Sequence, residues 1–140
     1  MSKPRILLAE DDEDNFDLVS LLLQRAGYEV LAARNGKEAL EFARREHPDA
    51  ILMDLSLPEM DGWTVVRKLR ASPETKDIPI FALTAHTLPG DRKRAIEAGC
   101  DGYFSKPLNV GSFGQAIAEA LEKARASRTG KASPASPSVA

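Results

Sequence analysis

Short apolar runs alternate along the chain with longer segments whose apolar residues recur at helical spacing. Ile6 to Ala9 precedes Phe16 to Ala26, Val30 to Ala33 precedes Ala39 to Arg45, and Ala50 to Met53 precedes Trp63 to Leu69. Ile80 to Leu83 with Arg92 to Ala98, and Tyr103 to Phe104 with Phe113 to Ala124, complete five strand-helix units. This alternation predicts an α/β fold, a parallel sheet covered by helices on both faces. Ile6-Leu7-Leu8-Ala9 and Ile51-Leu52-Met53 lack polar alternation, as central, neighbouring strands buried on both faces would. Gly27 and Gly99 stand where a left-handed C-cap would end the first and fourth helices. Pro48, Pro79 and Pro107 fall between elements. In the last helix Phe113, Ile117, Leu121 and Ala124 form one stripe, with Glu119, Glu122 and Lys123 turned away. The pattern stops after Arg125. A folded domain is therefore expected over 1–126 and a disordered Ser/Pro/Ala-rich tail over 127–140, because Ser127 to Pro137 contains no large apolar residue to bury.

With 140 residues, 43% of them hydrophobic, the chain can build one ordinary core and is too short for two. Nineteen basic residues against 21 acidic ones give a net charge of -2, without the positive field that direct nucleic-acid binding requires. The single cysteine, Cys100, excludes an internal disulfide and a cysteine-rich zinc site, and fits a reducing, cytoplasmic setting. The first apolar run stops at Glu10, too short for a signal peptide, and no apolar stretch approaches spanning length, so membrane insertion is not expected.

Acidic residues collect at strand ends. Strand one runs into Glu10-Asp11-Asp12-Glu13-Asp14 and strand three into Asp54, at the carboxyl edge where open α/β sheets place their sites. Capping and dipole complementation account for Asp12, Glu13 and Asp14 at a helix start. They do not account for Asp54, which follows Ala50-Ile51-Leu52-Met53 at the end of a buried strand, where an unpaired charge is costly to desolvate. Carboxylates held about 4 Å apart repel by roughly 4 kcal/mol at an effective dielectric of about 20, so Glu10, Asp11 and Asp54 need protonation or a cation. An all-oxygen donor set with room for water suits magnesium. A carboxylate so placed can attack phosphorus while an ion neutralises the oxygens of the transferred group.

Asp54 followed by Leu55-Ser56-Leu57-Pro58-Glu59-Met60-Asp61-Gly62, then Thr84-Ala85, then Lys106-Pro107, closely resembles the receiver domain of two-component response regulators. The resemblance covers residues 5 to about 125. It implies a five-stranded parallel sheet of order 2-1-3-4-5, the flavodoxin-like receiver fold, with Asp54 phosphorylated from phosphohistidine. It further implies Glu10 and Asp11 as the acidic pair organising Mg2+, with Asp54 and the Ser56 backbone carbonyl as further ligands. Many relatives carry Asp where this chain has Glu10. Lys106 would pair with phosphoryl oxygens, aimed inward by a cis Lys106-Pro107 bond. Thr84 would hydrogen-bond the phosphoryl group, and Tyr103 matches the switch aromatic that turns inward with Thr84; a β-branched strand residue and a half-buried strand tyrosine are the plainer readings. Ser56 and His86 would border the phosphoryl group and set its lifetime. His47 reads as a surface residue complementing a helix dipole, Cys100 as packing, and Met60 and Trp63 as core.

The resemblance implies a stand-alone phosphoacceptor switch rather than an enzyme, with slow autodephosphorylation. A histidine kinase or histidine phosphotransfer protein would supply the phosphoryl group, and another protein would read the state through a surface near Tyr103, strand five and the last helix. The Thr84 to Asp91 segment resembles receivers of phosphorelays and hybrid kinases. An aspartate-nucleophile phosphohydrolase is the alternative; it wants a second acid two residues after Asp54, where Ser56 stands. A flavin or nucleotide binder would want a phosphate-cradling loop after strand one, where five acids stand instead.

Overall fold

The computed structural model describes residues 3–55, 60–84, 90–106 and 108–129, except for the side chains of 91 and 127–129. Strand and helix alternate throughout: β1 (Arg5–Ala9), α1 (Glu13–Arg25), β2 (Glu29–Ala33), α2 (Gly36–Glu46), β3 (Ala50–Asp54), α3 (Gly62–Ala71), β4 (Ile80–Thr84), α4 (Asp91–Ala98), β5 (Gly102–Ser105) and α5 (Phe113–Thr129). The strands pair in parallel in the order β2-β1-β3-β4-β5, as the resemblance implied, and β1 and β3 are neighbours, as their unbroken apolar runs predicted.

The two-residue period of the strands divides the core between the sheet's faces. Ile6, Leu8, Leu52, Phe81 and Leu83 pack with α1 through Phe16 and Leu23, and with α5 through Phe113, Ile117 and Leu121. Leu7, Ala9, Ile51, Met53 and Ala82 pack on the opposite face with α2, α3 and α4. Asp12 caps α1 by accepting from Asn15 N, Asn35 caps α2 by accepting from Glu38 N, and Asp61 caps α3 by accepting from Thr64 N.

Gly27 and Gly99 take the positive φ expected of them. The end of α2 was not anticipated: His47, exposed as expected, closes it in the left-handed region at φ 47, ahead of buried Pro48. α5 also differs, running to Thr129, beyond the expected boundary at 126. Backbone hydrogen bonding propagates the helix through Ala126 and its successors, past the point where the apolar stripe ends. The rest of the expected tail lies outside the described residues. Among the described residues, no helix is long and apolar enough to cross a membrane.

α4 is thinly attached. Gly90 opens it without a side-chain cap, the exposed cations Arg92, Lys93 and Arg94 oppose the dipole in its first turn, and Ala95 is its buried contact. The opposite, amino-terminal edge of the sheet is clamped by Arg70. Its guanidinium donates to the carbonyls of Gly99 (2.9 Å), Lys76 (2.8 Å) and Ile78 (2.7 Å) and to Asp101 Oδ2 (2.8 Å), which also accepts from Ile80 N. Beside this clamp Cys100 is buried, and burial pushes its thiol up to about 12. Arg70→Ala strands those acceptors and should cost about 3 kcal/mol in urea unfolding. Its distance from the acidic edge should leave the chemistry there intact; a loss under 1 kcal/mol would show the clamp to be incidental.

Candidate functional site

The parallel register assembles the carboxyl edge. Ala9 lies opposite Met53, so Glu10 and Asp54 follow side by side, and Glu10 N extends the ladder by donating to Ala33 O at 3.0 Å. On the next strand Asp54 lies opposite Leu83, which brings Thr84 to the same edge. Thr84 in turn lies opposite Ser105, and its carbonyl accepts from Lys106 N at 2.8 Å. Four residues far apart in sequence are thus fixed by backbone pairing before any side-chain interaction is counted.

Glu10 is 0% exposed, Asp54 3% and Thr84 4%, whereas Asp11 is open to solvent. Glu10, Asp11 and Asp54 each offer a carboxylate oxygen within 4.8 Å of the others. Lys106 Nζ lies 2.8 Å from Glu10 Oε1 and 3.1 Å from Asp54 Oδ2. Glu10 Oε2 accepts from Asp12 N at 3.1 Å, while buried Oε1 makes its ion-pair contact without a directed hydrogen bond. Burial pushes the Glu10 carboxyl up; Lys106 offsets this in part, and neighbouring Asp54 adds to it. Burial alone would pull Lys106 down, but the Glu10 and Asp54 carboxylates outweigh it and hold the ammonium above its ordinary range.

One ammonium faces three carboxylates, so the edge retains an excess of negative charge that a divalent cation would balance. Of the residues expected here, the structure brings together Glu10, Asp11, Asp54, Thr84 and Lys106. Ser56, His86 and the Lys106-Pro107 bond lie outside the described residues. Tyr103 is half-buried on β5, within the same cluster of elements, where it lines a groove of about 500 Å3 with Arg92, Phe104, Ala116 and Lys123. Met60 and Trp63 pack against the α2–α3 core, and Arg94 stacks over the Trp63 ring. Gly62 closes the run that begins at Asp54, and its role is steric. A Cβ there would come 2.7 Å from Asp54 O and from Leu55 Cα, so glycine is what lets α3 start against the end of β3. A glycine directly after the capping Asp61 was the available signal.

Comparison with known proteins matches residues 6–118 to the response regulator receiver domain. The polar-differentiation response regulator DivK of Brucella ovis is 42% identical over 112 residues, covering 80% of this chain and 91% of that protein. The receiver domain of the sensor histidine kinase PA1611 from Pseudomonas aeruginosa, solved with magnesium coordinated in its active-site cleft, superposes with a TM-score of 0.78. It is 34% identical and covers 87% of this chain and 99% of its own. The chemotaxis response regulator CheY4 of Vibrio cholerae gives a TM-score of 0.79 at 31% identity, over 85% of this chain and 99% of its own.

The charge pairing predicts a coupled stability response in metal-free buffer. Lys106→Ala leaves Glu10 buried beside Asp54 and should cost about 3 kcal/mol, most of it recovered when Glu10→Gln is added. Simple additivity of the two losses would refute the coupling. A raised carboxyl binds its proton at higher pH folded than unfolded. Acidification from neutrality towards the ordinary glutamate value of 4.5 should therefore add stability through Glu10, an increment absent in Glu10→Gln.

Proposed function

This chain belongs to the response regulator receiver family, and on that premise we propose that Asp54 is its phosphoacceptor. The observation that carries the reading is a nearly buried carboxylate at a strand end, 3.1 Å from an ammonium and within 4.8 Å of two further carboxylates. A phosphohistidine on a histidine kinase or histidine phosphotransfer protein presents its phosphorus. A carboxylate oxygen of Asp54 attacks in line, the P–N bond breaks, and the imidazole leaves with its bonding pair. Lys106 Nζ, already at Asp54 Oδ2, turns to the incoming phosphoryl oxygens and offsets their charge. Exposed Leu18 and Leu21 on α1, whose first turn adjoins Glu10, offer the donor an apolar docking patch.

The donor set fits magnesium: it is all oxygen, its three carboxylates each offer an oxygen within 4.8 Å of the others, and Asp11 is open to water. Glu10, Asp11 and Asp54, with the Ser56 carbonyl, would hold the ion, which supplies charge neutralisation for the transferred group. The magnesium in the PA1611 receiver supports this assignment.

Phosphorylation replaces a carboxylate by a group carrying about one more negative charge and further directed acceptors. The Thr84 hydroxyl binds one of them, and Tyr103 follows Thr84 inward. Moving a population from 1:99 to 99:1 requires about 5.5 kcal/mol, within reach of several charge-assisted hydrogen bonds in a largely dry site. Light anchoring makes α4 the element easiest to displace, so the altered surface comprises α4, β5 and α5 and is read by another protein in the cytoplasm. Ser56 and His86 govern access of water and thus the slow loss of the phosphoryl group. The phosphohydrolase alternative is not favoured, because Ser56 occupies the place of its second acid.

Incubation with acetyl phosphate and magnesium should add one acid-labile phosphoryl group, absent in Asp54→Asn and from metal-free reactions. Undiminished labelling of Asp54→Asn would overturn the assignment, and rapid turnover of phosphomonoesters would favour the hydrolase.

A further inference from the structure

The tightest glycine contact among the described residues lies outside the charged cluster, at the start of α2. A Cβ built on Gly36 would fall 1.6 Å from the Met60 carbonyl oxygen and 2.6 Å from the carbonyl carbon. These are backbone atoms, so no rotamer relieves the overlap. Gly36 is not among the glycines with positive φ, so space rather than conformational freedom requires glycine here. The Cα–H bond that a side chain would replace points at the Met60 oxygen, a weak C–H···O contact at the positive end of the α2 dipole.

Both sides of this contact lead back to the acidic edge. On one side Asn35 Oδ1 accepts from Glu38 N and Glu38 Oε1 accepts from Arg34 N, each at 2.8 Å, which fixes the first turn of α2 to the end of β2. There Ala33 O receives the Glu10 amide. On the other side Met60 precedes Asp61, the cap of α3, and Gly62, whose missing side chain admits Asp54 O. The start of α3 is thus seated against β3 at Gly62, and Met60 just before it against α2 at Gly36.

We propose that Gly36 is a positioning residue for the phosphoacceptor site. By leaving room for the Met60 carbonyl it lets α2 seat Met60 and the start of α3 beside the end of β3, and so sets the spacing of the groups that receive the metal ion. This deepens the reading of Asp54 as phosphoacceptor and rests on it. Gly36→Ala must open the contact by about 1.4 Å before a Cβ reaches the 3.0 Å that real contacts require. A displacement of that size next to a metal site changes affinity on the order of 10- to 100-fold.

Trp63, the single tryptophan, lies in the first turn of α3 three residues beyond Met60, so its emission reports magnesium titrations at this seam. In Gly36→Ala the half-saturating magnesium concentration should rise about 10-fold or more, with acetyl phosphate labelling still on Asp54 at saturating metal. Ile117→Val, a destabilised control in the core beneath α5, should leave the midpoint unchanged. A folded Gly36→Ala with the wild-type midpoint overturns the proposal. Should that variant not fold, hydrogen exchange of the unaltered protein decides: magnesium should slow the Ala39 amide, bonded to Asn35 O in the first turn of α2, and no change there overturns the proposal. A wild-type chain that binds magnesium but takes no phosphoryl group would refute the function while leaving the midpoint comparison to judge Gly36.

Discussion

The carboxyl edge of the sheet is organised around one ammonium group between two buried carboxylates. Glu10 and Asp54 cannot both remain charged in a site almost without solvent unless a cation is fixed there, and Lys106 lies within 3.1 Å of both. The fold creates this demand by burying β1 and β3 on both faces. It also meets it, because the Lys106 amide bonds to Thr84 O and brings the side chain to the correct edge. Among the described residues, three carboxylates against one ammonium leave an excess of negative charge at the edge, while Lys106 holds the two buried carboxylates together.

The fold was legible because its signals are local and repeated. Apolar runs of strand length alternate with segments of helical period through all five units, and agreement across levels is what specifies a single structure. Departures arose where the governing physics leaves little local trace. His47 holds the left-handed position that glycine fills elsewhere. The extension of α5 to Thr129 follows from helix propagation, which the hydrophobic pattern does not record. The Arg70 clamp reaches the Asp101 carboxylate 31 residues away, but its other acceptors are the backbone carbonyls of Gly99, Lys76 and Ile78, which every residue carries and no side-chain pattern reveals.

The site was legible in part for a different reason. Asp54 was conspicuous because its charge contradicts the apolar run before it, and Glu10 with Asp11 because they end a neighbouring run. Composition and periodicity do not single out Lys106 from other lysines; the resemblance placed it, and the geometry gives it two anionic neighbours. Gly36 and Gly62 escaped because their contribution is an absence of atoms. Asn35-Gly36 followed by Glu38 reads only as a helix start, and the Met60 backbone that needs the space is 24 residues away.

Buried Cys100 has a practical consequence. With its thiol near 12, almost none is ionised at neutral pH, and alkylating reagents and oxidants act on the thiolate. The chain's lone sulfhydryl is therefore chemically silent while the protein stays folded. A cysteine introduced at an exposed position on α4 or α5 would be the single point of attachment for a spin or fluorescent label. Movements of those helices could then be followed without first removing a native residue from the core.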